Sequence, residues 1–152
     1  MIWPILALGV NSMSIYKDNE TDIVMNIDIK KSNDEARLVS GWANVAVNAN
    51  GSLPMDWQDD VIPPDVLEKA AISFMRDYRG SGEMHKGLSK GTVVESIVFT
   101  KEKQDAIGIP DGCIPQGWFI TVQVDDPEVF AKVKEGKYKM FSIQGKARKV
   151  VL

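Results

Sequence analysis

The chain has 152 residues, of which 44% are hydrophobic and 26% charged, with a formal net charge of -3. That suits one domain over residues 1–152 with a real core. It gives no basic surface for nucleic acid, because the densest cationic group is only Lys146, Arg148 and Lys149. The single cysteine, Cys113, excludes an intrachain disulfide and suits a reducing compartment.

The opening MIWPILALGV is apolar, but it has no basic leader or small-residue cleavage site and is too short to span a bilayer. Within it, residues 5–10 read as a buried strand. Residues 22–29 alternate Ile23, Met25, Ile27 and Ile29 with polar or small partners, the pattern of a half-buried strand. Asn33-Asp34-Glu35 reads as a turn, and 36–47 as another strand with a bulge at Gly41.

Residues 48–60 are loop by composition. Pro63-Pro64-Asp65 then opens a helix, since proline is tolerated in the first turn and an acidic residue suits the positive end. Val66, Leu67, Ala70, Ala71, Phe74, Met75 and Tyr78 form one apolar face, and Gly80 and Gly82 end it. A hairpin is expected from 83–88 and 92–101 around Ser89-Lys90-Gly91. Residues 117–124 make a strand. Asp126-Pro127 starts a short helix with Val129, Phe130 and Val133 on its face and Gly136 as its stop. Residues 139–152 make a long last strand. The sum is an α+β domain, a mostly antiparallel, barrel-like sheet with two helices.

Few residues can carry chemistry. The one histidine, His85, and the one cysteine cannot assemble an ordinary zinc site, so no metal or cofactor is expected. Asp56, Asp59 and Asp60 lack the spacing of a calcium loop and read as a solvated approach to the helix. Cys113 sits in the loop 110–115 with no base nearby in sequence, so a catalytic role for it is disfavoured. Ser142, in Met140-Phe141-Ser142-Ile143-Gln144-Gly145, lies between large apolar neighbours. It can be a nucleophile with backbone room beside it, but on spacing alone the ordinary strand serine is the favoured reading, and Ser40 and Ser96 compete with it. The segment is not a nucleophile elbow, which needs glycine two residues before the serine.

Three stretches, in order, resemble the phage prohead (capsid maturation) serine proteases, in particular their prophage-type branch. The first is Asp56-Trp57-Gln58-Asp59-Asp60-Val61-Ile62 with the helix ending Ala70-Ala71-Ile72-Ser73-Phe74-Met75. The second is Met84-His85 followed by Gly91-Thr92-Val93-Val94-Glu95-Ser96. The third is Gly117-Trp118-Phe119, Asp125-Asp126-Pro127-Glu128-Val129-Phe130 and Phe141-Ser142-Ile143-Gln144-Gly145. The resemblance implies a fold like that of the herpesvirus assembly proteases, with Ser142 as nucleophile and His85 as general base. It implies cleavage of scaffold or capsid-protein segments, and of the protease itself, inside the prohead in the host cytoplasm. The partners would be the phage scaffold and major capsid protein, with a homo-oligomer allowed and neither nucleic acid nor membrane.

The herpesvirus relatives orient the base with a second histidine, which this chain lacks. If Ser89-Lys90-Gly91 is the hairpin loop, His85 falls opposite Glu95, which makes Glu95 the first choice for that role and Glu83 the second. A dyad without a third member stays open. Backbone N–H groups of Gly145, Lys146 and Arg148 are candidates for the oxyanion hole. Relatives usually continue further beyond the serine, so truncation, self-cleavage or a compact form is also expected. The rival readings are a non-catalytic capsid-assembly or scaffold domain of the same fold, and an unrelated binding module using exposed aromatics such as Trp57.

Overall fold

The computed structural model describes the backbone of residues 6–9, 20–33, 35–54, 62–83, 86–138 and 140–148, and the side chains of 35–54, 62–80 and 90–138. It contains β1 (Leu6–Gly9), β2 (Glu20–Asn33), β3 (Leu38–Val47), α1 (Pro64–Asp77), β4 (Gly80–Glu83), β5 (Lys86–Phe99), α2 (Lys101–Ala106), β6 (Gln116–Val124), α3 (Pro127–Lys134) and β7 (Met140–Arg148). The domain is α+β. Its centre is the antiparallel sheet β5-β6-β3. The remaining pairings extend the strand order to β1-β4-β5-β6-β3-β2-β7, and a parallel β1–β7 pairing returns it to the start as a closed barrel.

The central sheet sorts its side chains by pleat. On β6, Trp118, Ile120, Val122 and Val124 are buried, as alternation requires. On β3, burial follows Val39, Gly41 and Ala43, then changes phase to Asn44 and Ala46. The cause is a bulge: Trp42 pairs with Phe119 while Asn44 pairs with Trp118, leaving Ala43 as the extra residue. A second slip lies between Val45 and Val47. At the place where a bulge was expected, beside Gly41, the surplus residue belongs to the partner strand: Ile29 pairs with Gly41 and Lys31 with Ser40.

Helix α1 lays Leu67, Ala71 and Phe74 against this sheet, and Phe74 meets Trp118 edge-on with ring centroids 5.3 Å apart. Burying a residue such as Phe74 stabilises the fold by roughly 1.5–3 kcal/mol. The helix stops at Asp77, before the glycines expected to end it. Arg79 adopts the left-handed conformation instead (φ 58), and its N–H and that of Tyr78 both donate to the Phe74 carbonyl. Gly80 is thereby released to open β4.

Helix α3 forms as the sequence predicts. Asp126 caps it, Oδ1 accepting from the N–H groups of Glu128 and Val129; Val129, Phe130 and Val133 are buried; and Gly136 (φ 71) follows the last turn. A third helix, α2, was not expected. Thr100 caps it by accepting from the Lys103 N–H, and the buried Gln104 donates Nε2 to the carbonyls of Phe99 and Pro115. Lys103 also pairs with Glu68, tying α2 to α1. None of the helices among the described residues is long and apolar enough to cross a membrane.

Candidate active site

Ser142 lies on β7, which is flanked by β2 on one side and β1 on the other. Its cross-strand partners are Asn26 on β2 and Ala7 on β1, and Ala7 in turn pairs with Gly82 on β4. Ser142 therefore belongs to a row of backbone positions running Asn26–Ser142–Ala7–Gly82. At about 4.8 Å between neighbouring strands, its Cα stands roughly 10 Å from that of Gly82. The row below reads Ile27–Phe141–Leu6–Glu83–Lys86 and the row above Met25–Ile143–Leu8–Ser81–Gly91.

His85 lies outside the described residues, as do Asp56, Trp57, Asp59 and Asp60. Its chain neighbours on the described strands are Glu83 and Lys86, which pair with each other. Strand β4 ends at Glu83 and β5 begins at Lys86, and the expected loop at Ser89-Lys90-Gly91 is corrected. Those residues are part of β5. The reason is burial. Gly91 pairs with Ser81 on one side and Val124 on the other, and Val93 is 1% exposed beside Val122. A loop at 89–91 would take that pairing out of the sheet.

The corrected register moves Glu95. The last β5 residue paired with β4 is Thr92, and Glu95 lies beyond it, opposite Thr121 of β6. Its argument for orienting His85 depended on the loop that does not form. Glu95 is exposed, and beside it the Thr121 and Ser40 hydroxyls hydrogen-bond at 2.8 Å. Ser40 is engaged there. Ser96 is engaged too, accepting from the Trp118 indole N–H at 2.8 Å. Both competing serines have structural partners. Cys113 is exposed in its loop, where its N–H donates to the Pro110 carbonyl.

Two features of this region were not anticipated. One is Asn26, a polar residue directly opposite Ser142, whose only sequence signal was its place in the alternating strand. The other is an irregularity in β5. Glu83 pairs with Lys86 and Ser81 with Gly91, so residues 87–90 stand opposite Gly82 alone, at the end of the Ser142 row. Bulges of this kind re-aim strands and are over-represented next to active sites. The candidate oxyanion donors Gly145, Lys146 and Arg148 pair with Ile23, Asp22 and Glu20 of β2. The β1 pairing of β7 ends at Gln144, so among the described residues these three have a strand on one side only.

Among the described residues there is no group of three or more His, Cys, Asp or Glu placed to hold a metal ion. A family model described as Putative phage serine protease XkdF matches residues 16–151. No curated protein and no solved structure matches the chain.

Proposed function

Because the chain belongs to the phage serine protease XkdF family, we propose that it is an endopeptidase in which Ser142 attacks the peptide carbonyl and His85 takes its proton. The family match supports this reading because it spans both residues. The observation that carries it within the fold is the register. Ser142 lies two strands from Gly82, which stands three residues before His85 in sequence.

The chemistry follows from the residue types. A serine hydroxyl is a poor nucleophile until a base removes its proton during attack, and neutral imidazole titrates near operating pH. His85 returns the proton to the leaving amine, and water then hydrolyses the acyl-enzyme. The oxyanion is held by backbone N–H groups, for which the segment after Gln144 is the nearest source on the same strand. Glu83, the last residue of β4 and two positions before His85 in sequence, replaces Glu95 as first choice for an orienting carboxylate; a Ser–His dyad is the alternative. The substrates are scaffold or capsid-protein segments and the enzyme's own chain. Cleavage takes place inside the prohead in the host cytoplasm, in a fold of the herpesvirus assembly protease type.

The test is labelling with a fluorophosphonate probe together with cleavage of a scaffold substrate. Ser142→Ala abolishes both while leaving the circular dichroism spectrum unchanged, and His85→Ala is similarly inactive because the two act as a unit. Wild-type cleavage by either variant refutes the assignment.

A further inference from the structure

The connection that leaves β3 folds back on itself over residues 48–52. The Asn48 N–H donates to the Ser52 carbonyl at 2.8 Å, and the Gly51 N–H donates to the Asn48 carbonyl at 2.8 Å. Gly51 has φ +82, and a Cβ placed on it would meet nothing within 4 Å. Asn50, Gly51 and Ser52 are all exposed to solvent. Asn50-Gly51 is the one Asn-Gly pair in the sequence; the other asparagines precede Ser12, Glu20, Ile27, Asp34, Val45 and Ala49.

Within this loop two donors converge on one oxygen. Asn50 Oδ1 accepts from the Ser52 N–H at 3.0 Å and from the Ser52 hydroxyl at 2.7 Å. The acceptor must be the amide oxygen, because a backbone N–H can only donate. The direction of the hydroxyl is fixed in the same way. Asn48 Nδ2 donates to Ser52 Oγ at 2.9 Å, which leaves the Ser52 hydrogen for Asn50 and strengthens it as a donor. The Asn50 side-chain carbonyl is thus polarised as a carbonyl is in an acyl-transfer site, by a backbone N–H and a hydroxyl aimed at the oxygen where charge develops.

We propose that Asn50 is a site of spontaneous modification, where the Gly51 nitrogen attacks the Asn50 side-chain amide and Ser52 stabilises the oxyanion that forms. Hydroxide from solvent removes the Gly51 N–H proton once its bond to the Asn48 carbonyl opens. The nitrogen then bonds to Asn50 Cγ, and the C=O electron pair moves onto Oδ1, against the two Ser52 donors. Collapse restores the carbonyl and breaks the Cγ–Nδ2 bond. Ammonia leaves with a proton taken from water, which returns the hydroxide, and a cyclic imide remains. Water then opens the imide at either carbonyl. One route gives an ordinary aspartate; the other gives an isoaspartate, whose main chain runs through the side-chain carbon. Glycine suits the attack because it brings no Cβ against the closing ring. The isoaspartate lengthens the backbone between the Asn48 carbonyl and the Gly51 N–H, so the turn that carries β3 toward α1 is lost. The reaction needs neither Ser142 nor His85 and stands apart from the protease reading.

The experiment holds the folded full chain in mildly alkaline buffer and follows it by peptide mass spectrometry, with isoaspartate read by enzymatic methylation. The wild type is expected to convert at residue 50 while Asn44 and Asn48 stay amides. No conversion at residue 50, or conversion no faster there than at Asn48, overturns the proposal. Ser52→Ala deletes the hydroxyl donor at an exposed position, so the fold is expected to persist with an unchanged melting temperature. It is expected to slow conversion roughly two- to tenfold, the worth of one hydrogen bond. A rate equal to or above that of the wild type overturns the role of Ser52. Asn48→Ala removes the neighbouring side-chain contact but keeps both Ser52 donors on Asn50, and is expected to slow conversion less. Equal slowing in the two variants traces the effect to a loosened loop and overturns the oxyanion assignment.

Discussion

Inside the core, the Trp118 indole N–H donates to the Ser96 hydroxyl at 2.8 Å, joining β6 to β5 across the sheet. Trp118 is 1% exposed and meets Phe74 of α1 edge-on. This bond accounts for a serine in an otherwise apolar position. Removing the hydroxyl leaves a buried donor unsatisfied, which costs about 1–3 kcal/mol. Ser96→Ala is therefore expected to lower the unfolding free energy by that amount, read as a lower urea midpoint with an unchanged denaturant slope, while Ser142 labelling persists. Loss of labelling without loss of stability would make Ser96 a functional residue instead.

Gly117 lies where β6 passes the second slip of β3. A Cβ placed on it would stand 2.4 Å from the Asn44 carbonyl oxygen, 3.0 Å from Val45 Cα and 3.2 Å from the Trp42 ring. The first two are backbone atoms and cannot swing aside. Trp42 is also fixed, edge-on to both Phe99 and Phe119. Gly117→Ala is expected to destabilise by about 1–3 kcal/mol or more, the usual range for overpacking. Thermal unfolding checks it, and a melting point equal to the wild type would mean that the β3 bulge relaxes freely.

Acid should weaken the α3 junction in a defined direction. The Lys90 ammonium, and then the Glu128 N–H, hold the Asp126 carboxyl below its ordinary value of 3.8. A carboxyl whose pKa is lowered by folding contributes stability that is fully present above the unfolded value. That contribution is lost as pH falls through the folded one. Asp77, hydrogen-bonded to Arg76, and Glu135, hydrogen-bonded to Lys137, act in the same sense. Melting temperature should therefore fall below about pH 4. Asp126→Asn keeps a capping oxygen and should show a shallower fall. An identical pH profile in that variant would assign the acid sensitivity to other carboxylates.

Glu95 is expected to be dispensable for cleavage. It faces Thr121 three positions past the last residue of β5 that pairs with β4, away from the row of Ser142. Glu95→Gln should cleave a scaffold substrate at close to the wild-type rate, and Glu83→Gln should be slower if a carboxylate orients the base. A large rate loss in Glu95→Gln alone would restore its catalytic role.

Local chemistry made part of this fold legible. The apolar stripe with Leu67, Ala71 and Phe74 marks α1, and Asp126-Pro127 marks the start of α3, because cap and periodicity are encoded within a few residues. Helix α2 was hidden because Lys101–Ala106 has no apolar period and is held by Gln104 reaching two distant carbonyls. Ser89-Lys90-Gly91 looked like a turn because glycine and polar residues cluster there. Its place in a strand depends on Val124 and Ser81, far away in the chain. The candidate site suffered the same way. Residue types singled out His85 and Ser142 only through family likeness, while the Asn26–Ser142–Ala7–Gly82 row joins four strands whose registers no local pattern specifies.

The parallel pairing of β1 with β7 joins the first described strand to the last, and it places Ser142 beside Ala7. A contact between strands so remote in sequence forms late, since loop closure must be met before the pairing yields any stabilisation. During synthesis β1 must wait for β7, with its edge open, until nearly the whole described chain has emerged. Strand β7, which carries Ser142, is thus the last of the described strands to be inserted. Under the proposed role for Ser142, strand topology alone would delay assembly of the site until the other described strands have been made.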